Sequence, residues 1–201
     1  MRPTPTRRAF LGGMPALILA SGCSSPNPSL YTLGPTPGTS RPGGPATVVL
    51  RQVAVARYLE RPELVRSSED FRLEVMANEA WGEPLPQMIS RVLLEDLAQR
   101  LPGTTVLNAS GAITVKEDAT VEVNIQRMDR DASGALAFVA QASVSHAGSS
   151  RPFTRTVRTS IPLASTTTAD EVRAMSVALG KLADEIAGML LQSAAPVPRR
   201  R

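Results

Sequence analysis

The feature of this sequence that most constrains its fold is an alternation of apolar and polar residues between positions 121 and 144. Every second residue is apolar in 121–125 and again, after a turn at 131–134, from 136 to 144. Because successive side chains of a β-strand point to opposite faces, the apolar residues share one face. The pattern predicts antiparallel strands with one buried face, which residues 153–161 extend as a weaker third strand.

Two amphipathic helices are predicted to cover that face. In the first, apolar residues recur at helical spacing from Leu85 to Leu101, and Pro102 and Gly103 end the helix. Its other face is polar and consists of Arg91, Glu95, Asp96, Gln99 and Arg100. The pattern therefore predicts that these five side chains point away from the sheet.

The second helix is predicted from Thr168, which precedes Glu171 by three positions in a capping-box pattern. An apolar stripe then runs to Leu190. Further strand patterns occur at 47–56, 64–66 and 71–77. Together these elements predict one α+β domain over residues 47–193. It has two layers, a mostly antiparallel sheet with the two amphipathic helices packed on one face.

The first 23 residues have the layout of a bacterial lipoprotein signal. A basic start containing Arg7 and Arg8 precedes an apolar run, and small residues lead into Cys23, the one cysteine of the chain. The apolar run is too short for a spanning helix, which needs about 20 apolar residues. We expect residues 1–22 to be a signal peptide and Cys23 to be lipidated. The alternative is that Cys23 is a small, unreactive buried residue.

The paired arginines also bear on the export route. Arg7 and Arg8 followed by Phe10 and Leu11 resemble a twin-arginine signal. A general-secretion signal in which two arginines occur by chance explains the same residues equally well. Ser24 follows the cysteine, and in lipoproteins that this chain resembles a serine there permits delivery to the outer membrane. We expect the periplasmic face of that membrane, with acyl chains as a stable anchor.

Residues 23–46 are rich in proline, glycine and serine, which is typical of a tether. A flexible coil of this length spans roughly 25–30 Å, and an extended polyproline helix about 70 Å. The apolar residues 30–33 interrupt it and indicate a short strand docked on the domain edge, with chance as the alternative. Residues 194–201 are expected to be a disordered basic tail.

Charge and residue types exclude several classes of function. Residues 23–198 contain 16 basic and 18 acidic residues, so the domain lacks the basic excess of a nucleic-acid-binding protein. His146, the one histidine, falls in a predicted turn, and Glu69 and Asp70 read as solvated turn acids. No glycine-rich nucleotide motif or metal-ligand spacing occurs. The sequence predicts no enzyme activity, cofactor or metal.

Several segments resemble a known protein family, the PqiC-like auxiliary lipoproteins of ABC-type transport systems. The resemblance lies in Leu30–Leu33, in Tyr58-Leu59-Glu60-Arg61-Pro62 within residues 53–65, in Trp81-Gly82-Glu83-Pro84-Leu85 and in the helix at 89–101. Family members usually carry aspartate where Glu60 stands and arginine where Ala80 stands.

The resemblance implies an accessory role in an envelope transport system. Its partner is expected to be an MCE-domain (PqiB-like) protein, and the cargo lipids or other hydrophobic molecules moved between the inner and outer membranes. Homo-oligomeric assembly is plausible for such a component. Tyr58, Arg61 and Trp81 are the candidate partner contacts, since such rings suit a contact surface, while packing of the two rings at the core is the alternative. A hydrophobe-binding carrier and a structural envelope lipoprotein are the competing functions.

Overall fold

The computed structural model describes residues 27–67, 71–109, 113 and 115–193. The predicted signal residues Arg7, Arg8, Phe10 and Leu11, the predicted lipidation site Cys23 and the tail 194–201 lie outside the described residues. Eight β-strands and two α-helices occupy the described part of the chain, in the order β1 Ser29–Tyr31, β2 Thr47–Val55, β3 Glu63–Ser67, β4 Leu73–Trp81, α1 Leu85–Arg100, β5 Thr105–Asn108, β6 Ala119–Arg130, β7 Ala135–His146, β8 Phe153–Pro162 and α2 Thr168–Ser193.

Five strands form a large sheet in the order β5-β2-β6-β7-β8. The hairpin β6–β7 and the pair β7–β8 are antiparallel, as the alternation predicts. Strand β2 lies between β5 and β6 and is parallel to both. The chain passes through α1 before it returns beside β2 as β5, and such crossovers join parallel strands. The predicted α+β fold is confirmed, with a mixed sheet in place of a mostly antiparallel one.

The buried face of the large sheet follows the alternating residues. Val121 pairs with Val144, and the next alternate pairs along the hairpin are likewise apolar and buried. An irregularity between Ile125 and Arg127 then shifts the register by one residue. After this bulge Met128 faces the core, and Asp129 points to the opposite face. The bulge therefore places the acidic side chain of Asp129 on the face of the large sheet that is opposite the core.

Both helices pack on the large sheet and on each other. Strand β2 contacts α1, while β7 and β8 contact α2. The predicted polar face of α1 is only partly correct. Arg91, Glu95 and Gln99 are exposed, but Asp96 and Arg100 are buried. They are covered because α2 and the chain before β2 close over that side of the helix.

The described part of the segment before β2 packs on the domain, whereas the sequence predicted a tether there. Strand β1 pairs with β4, which is the docked strand expected at residues 30–33. Leu33 is 1% exposed, and its amide hydrogen points to the Sδ of Met88 at 3.0 Å. The amide of Arg41 donates to the carbonyl of Arg100 at 2.8 Å. A proline-rich composition is typical of a linker, but here backbone polar groups and Leu33 find partners on α1.

Arg100 joins three parts of the chain through one buried guanidinium. Nε donates to Asp184 Oδ1 at 2.7 Å, and Nη2 donates to the carbonyl of Gly180 at 3.1 Å, both on α2. Nη1 donates to the carbonyl of Thr36 at 3.2 Å and to that of Asp96 at 3.0 Å. The helices α1 and α2 and the N-terminal segment thus share one cation, which is 1% exposed.

Glycine at position 180 is required by this close approach. A Cβ added there would overlap the Oγ1 of Thr36. In most helix interiors a glycine-to-alanine change stabilises the protein by about 0.5–1 kcal/mol, because alanine loses less backbone entropy on folding. We expect the opposite sign for Gly180→Ala, a loss of about 1–3 kcal/mol in the free energy of unfolding, as is typical of overpacking.

Gly188→Ala is the matched control in the same helix. Its added Cβ meets the far end of the Arg41 side chain at 3.4 Å, which can move aside. Chemical denaturation should show Gly188→Ala at least as stable as the unsubstituted chain. If Gly180→Ala is also stabilising, the N-terminal segment does not pack on α2 in solution.

Candidate functional site

The three remaining strands form a small sheet in the order β1-β4-β3. Strand β1 is parallel to β4, and β3 is antiparallel to it. A 3-10 turn at Arg57–Leu59 leads into β3. The small sheet and residues 57–62 bring the predicted contact residues Tyr58, Arg61 and Trp81 to one region, which we call the candidate surface. This region also contains or adjoins three of the four segments that carry the family resemblance, the exception being the helix at 89–101.

Trp81 belongs to the hydrophobic core of this region. It ends β4, is 8% exposed, and its amide donates to the carbonyl of Pro62 at 2.7 Å. The amide of the next residue, Gly82, donates to the carbonyl of Tyr31 at 2.9 Å. The indole thus packs in the hydrophobic core. The two backbone hydrogen bonds beside it connect β1 and the turn after Tyr58 to β4.

Tyr58 is anchored by a buried carboxylate. Its hydroxyl donates to Asp129 Oδ2 at 2.5 Å, and the hydroxyl of Ser67 donates to Asp129 Oδ1 at 2.6 Å. Arg127 adds a contact of 3.3 Å to the same group. Burial, and then the hydrogen bond to Asp129, raise the pKa of the Tyr58 hydroxyl above its usual value. The register shift of β6 is what brings Asp129 under Tyr58.

Arg61 is the predicted contact residue that presents its side chain to solvent. Its Nε lies 3.4 Å from Glu63 Oε2, and both groups are partly exposed. Exposed pairs of this kind contribute at most about 1 kcal/mol to stability. Arg61 can therefore exchange its contact with Glu63 for a contact with a partner at little cost in free energy. Tyr58 and Trp81 instead hold the loop through the Tyr58 hydroxyl and the Trp81 amide.

A second buried ionic cluster attaches the small sheet to α2. Arg66 donates from Nε to Glu171 Oε2 at 2.7 Å and from Nη2 to Thr168 Oγ1 at 2.8 Å. The Thr168 hydroxyl in turn donates to Glu79 of β4. Burial raises the pKa of the Glu171 carboxyl, opposed by Arg66. Three elements, β3, β4 and α2, meet at this cluster.

This cluster corrects the predicted capping box. The helix begins at Thr168, and it is the Oγ1 of Thr167 that accepts from the amide of Asp170, at 3.3 Å. Glu171 turns inward to Arg66 instead of reaching back to the start of the helix. The sequence pattern predicted the position of the helix start to within one residue, but it could not show that Glu171 has a long-range basic partner.

The outer part of the small sheet exposes several apolar side chains. Leu30 is 67% exposed, Phe71 106%, Leu73 50% and Val75 41%. Although β4 is the central strand of the small sheet, most of its residues are exposed. The small sheet therefore has apolar surface that neither helix covers.

The open face of the large sheet is polar. A solvent-open groove of about 600 Å³ lies there and is lined by Arg51, Gln52, Glu122, Asn124, Gln141 and other residues. Arg51 and Glu122 form a long, exposed ion pair across it at 3.7 Å. Between these polar side chains the lining also contains Ala54, Ala109, Val123 and Ala142.

Two kinds of site are relevant to chemistry within the described residues, metal-ligating clusters and a histidine that could act in acid–base chemistry. No group of three or more potential metal-ligating side chains occurs within 27–67, 71–109, 113 and 115–193. His146 is the last residue of β7 and is partly buried, which lowers its pKa. In the same ranges neither helix combines the length and the apolar character that crossing a bilayer requires.

Comparisons with known proteins match this architecture. The family model described as "ABC-type transport auxiliary lipoprotein component" matches residues 31–187. A crystal structure of an uncharacterized protein is similar with a TM-score of 0.68 at 21% identity, over 81% of this chain and 98% of that one. A Xanthomonas campestris protein of the DUF330 family has a TM-score of 0.68 at 19% identity, with coverages of 83% and 96%. A comparison with curated proteins finds no match.

The hydrogen bond from Tyr58 to Asp129 should support the loop that carries Arg61. Tyr58→Phe removes the short hydrogen bond to one oxygen of a buried carboxylate and leaves it the longer one from Arg127 Nε at 3.4 Å, so we expect the free energy of unfolding to fall by about 1–3 kcal/mol. In an Asp129→Asn background the same substitution should cost clearly less, because the buried charge is gone. A double-mutant cycle by chemical denaturation measures the difference. Equal costs in both backgrounds would contradict the geometry.

The buried carboxyl of Glu171 should make stability depend on pH. Because its pKa is raised in the folded state, the native protein retains this proton where the unfolded chain has lost it. Its stabilisation is complete below the usual value of 4.5 and declines as the pH rises through the raised value. The free energy of unfolding should therefore fall between pH 4.5 and 7 relative to that of Glu171→Gln.

Asp131→Asn is the control for this titration. The hydroxyl of Ser133 lowers the pKa of Asp131 below its usual 3.8, so its stabilisation is present above that pH and is lost only in stronger acid. The difference between Asp131→Asn and the unsubstituted chain should stay constant from pH 4.5 to 7. A constant difference for Glu171→Gln as well would show that folding does not raise the pKa of this carboxyl.

Proposed function

The chain belongs to the family of ABC-type transport auxiliary lipoprotein components, and from that premise we propose that it is the non-enzymatic, lipid-anchored accessory subunit of an envelope ABC/MCE-type transport system. In this proposal the protein stands on the periplasmic face of the outer membrane. The system moves lipids or other hydrophobic molecules between the inner and outer membranes.

The observation that carries the proposal is the extent of the family match. Residues 31–187 run from the end of β1 into α2, so the match includes both sheets, both helices and the candidate surface. The relation thus concerns the whole architecture and not one motif. The two similar crystal structures support the fold alone, because their sequence identities are 21% and 19%.

The proposed anchor is a lipid on Cys23. It is preceded by the signal residues Arg7, Arg8, Phe10 and Leu11 and followed by Ser24, the residue that favours delivery to the outer membrane. Two or more acyl chains give stable attachment where a single chain does not. Strand β1 starts six residues after Cys23, so the domain would be held close to the bilayer.

A role without catalysis fits the way the buried acids are used. Asp129 is held by Tyr58 and Ser67, and Glu171 by Arg66. Asp96 accepts from the amide of Thr36 at 2.8 Å. Each of these acids joins separate elements of the chain, which is a structural use of a buried charge.

The proposed partner is an MCE-domain (PqiB-like) protein, bound at the candidate surface. Arg61 supplies an exposed cation there, and the Tyr58 hydroxyl and the Trp81 amide hold its loop in place. A second copy of the chain is the other partner to consider, since homo-oligomers are common among envelope components. The hydrophobe carrier gains no support from the described residues, because buried side chains fill the space between helices and large sheet.

The anchor is tested by Cys23→Ser. This change removes the thiol that would carry the lipid, and the buried clusters of the domain are untouched. We expect the variant to move from the membrane fraction to the soluble periplasm with an unchanged thermal unfolding midpoint. A variant that stays with the membrane fraction would contradict lipid attachment at Cys23.

The partner is tested by in vivo crosslinking from a photoreactive amino acid at Arg61. Ser150 is the control position, because it is exposed and follows β7, whose end pairs with Ala119 at the far end of β6 from Asp129. We expect a covalent adduct with an MCE-domain protein from position 61 and none from position 150. Adducts of equal yield from both positions, or none from 61, would count against this surface.

A further inference from the structure

The exposed apolar residues of the small sheet are concentrated towards one end of the β3–β4 hairpin. Phe71 precedes β4, Leu73 is its first residue and Val75 follows two positions later, all exposed. Phe71 has a φ of 58°, a left-handed conformation that is rare for an aromatic residue. An aromatic ring held fully in solvent on a strained backbone indicates a role outside the domain.

The direction of β1 relates this end to the lipid anchor. Strand β1 is parallel to β4, with Ser29 beside Glu79. The chain before Ser29 therefore enters from the side of the sheet on which β4 begins. Cys23 precedes Ser29 by six residues, and Leu73 precedes Glu79 by six. At about 3.3 Å per residue, both stretches have the same extended length of roughly 20 Å.

We infer that the end of the hairpin bearing Phe71 and Leu73 contacts the surface of the membrane to which the chain is anchored. The inference rests on the lipid at Cys23 put forward under the proposed function. The occupant is a lipid surface because the short chain from the anchor to β1 enters the domain from this end. A protein partner would have to fit between this end and the bilayer.

Because the proposed anchor already holds the domain at the membrane, a weak apolar contact is sufficient to orient it there. A tethered domain meets the bilayer at a high effective concentration, so two exposed apolar side chains need no strong affinity of their own. The contact is not driven by charge, because Glu69, Asp70 and Glu74 outnumber Arg66 and Arg72 in this part of the sequence. It should therefore form on uncharged lipid as readily as on anionic lipid.

Site-directed spin labelling tests the contact in the full lipidated protein. Acylation consumes the thiol of Cys23, so a cysteine introduced elsewhere is the single reactive thiol of the chain. Nitroxide labels are placed by Phe71→Cys, by Leu73→Cys and, at the far end of the large sheet, by the control Ser150→Cys. Each protein is reconstituted in phosphatidylcholine vesicles, and collisions with oxygen and with a water-soluble nickel chelate are compared.

We expect the ratio of oxygen to nickel collisions to be several-fold higher at positions 71 and 73 than at 150, because oxygen concentrates in lipid and the chelate does not. The same labels in a Cys23→Ser background, free in solution, should match position 150. A label at 71 and 73 that behaves like the one at 150 in vesicles overturns the inference. Shielding from both reagents would also overturn it, because it indicates a protein interface.

Two readouts separate this failure from failure of the proposed function. The mass of the mature protein shows whether acyl chains are present, and flotation with vesicles shows whether the chain is attached. A chain without acyl mass that does not float refutes the lipid anchor itself. A chain that floats while positions 71 and 73 remain fully in water refutes the contact alone. Thermal unfolding of each labelled variant confirms that the domain is folded.

Discussion

The buried guanidinium of Arg100 is the interaction on which the rest of the structure depends. It satisfies backbone carbonyls on the N-terminal segment, on α1 and on α2, and it pairs with Asp184. Leaving one partner of a buried pair uncompensated typically costs about 3–5 kcal/mol. The two helices are therefore fixed relative to each other, and the segment before β2 becomes part of the domain.

The small sheet is attached by the same kind of interaction, a buried charged group with partners on several elements. Asp129 collects donors from Tyr58 and Ser67, and Arg66 joins β3 to Glu171 on α2. Buried ionic groups of this kind add little net stability compared with apolar packing, but they penalise every arrangement that leaves a charge unpaired. Here they specify where the small sheet sits on the larger body. A small three-stranded sheet could not fix that position by its own core.

The contrast between α1 and β6 shows how far the sequence could predict this fold. Periodicity correctly predicted both helices and the β6–β7 hairpin, because each depends on near neighbours in the chain. It could not predict that β2 inserts beside β6, since a valine-rich strand fits many partners. Asp96 and Arg100 looked like surface residues because their partners, Thr36 and Asp184, lie far away in sequence.

The sequence could predict which residue types the candidate surface contains, but not how deeply each of them is buried. Tyr58, Arg61 and Trp81 stood out as rings and a cation within the family-like segments, and the structure brings them to one region. Their different exposures could not be predicted, because the bulge in β6 that carries Asp129 to Tyr58 has no signal in a pattern of period two. The proline-rich segment was misleading for a related reason. Its composition shows that it cannot form a helix, but not that Leu33 has a pocket on α1.

If a lipid on Cys23 anchors the chain as proposed, the start of β1 only six residues later bears directly on how such a subunit could work. A protein on a long flexible tether samples many heights and tilts, and a partner must find it anew in each encounter. Here the packed chain starts at Ser29, and the Arg100 cluster makes the following residues part of the body. Arg61 lies at the opposite end of the β3–β4 hairpin from Phe71. On the proposed function, a partner that spans the space between two membranes would then meet Arg61 at a nearly constant distance from the lipid surface. Rigid placement of one contact can serve such an assembly without any catalytic group.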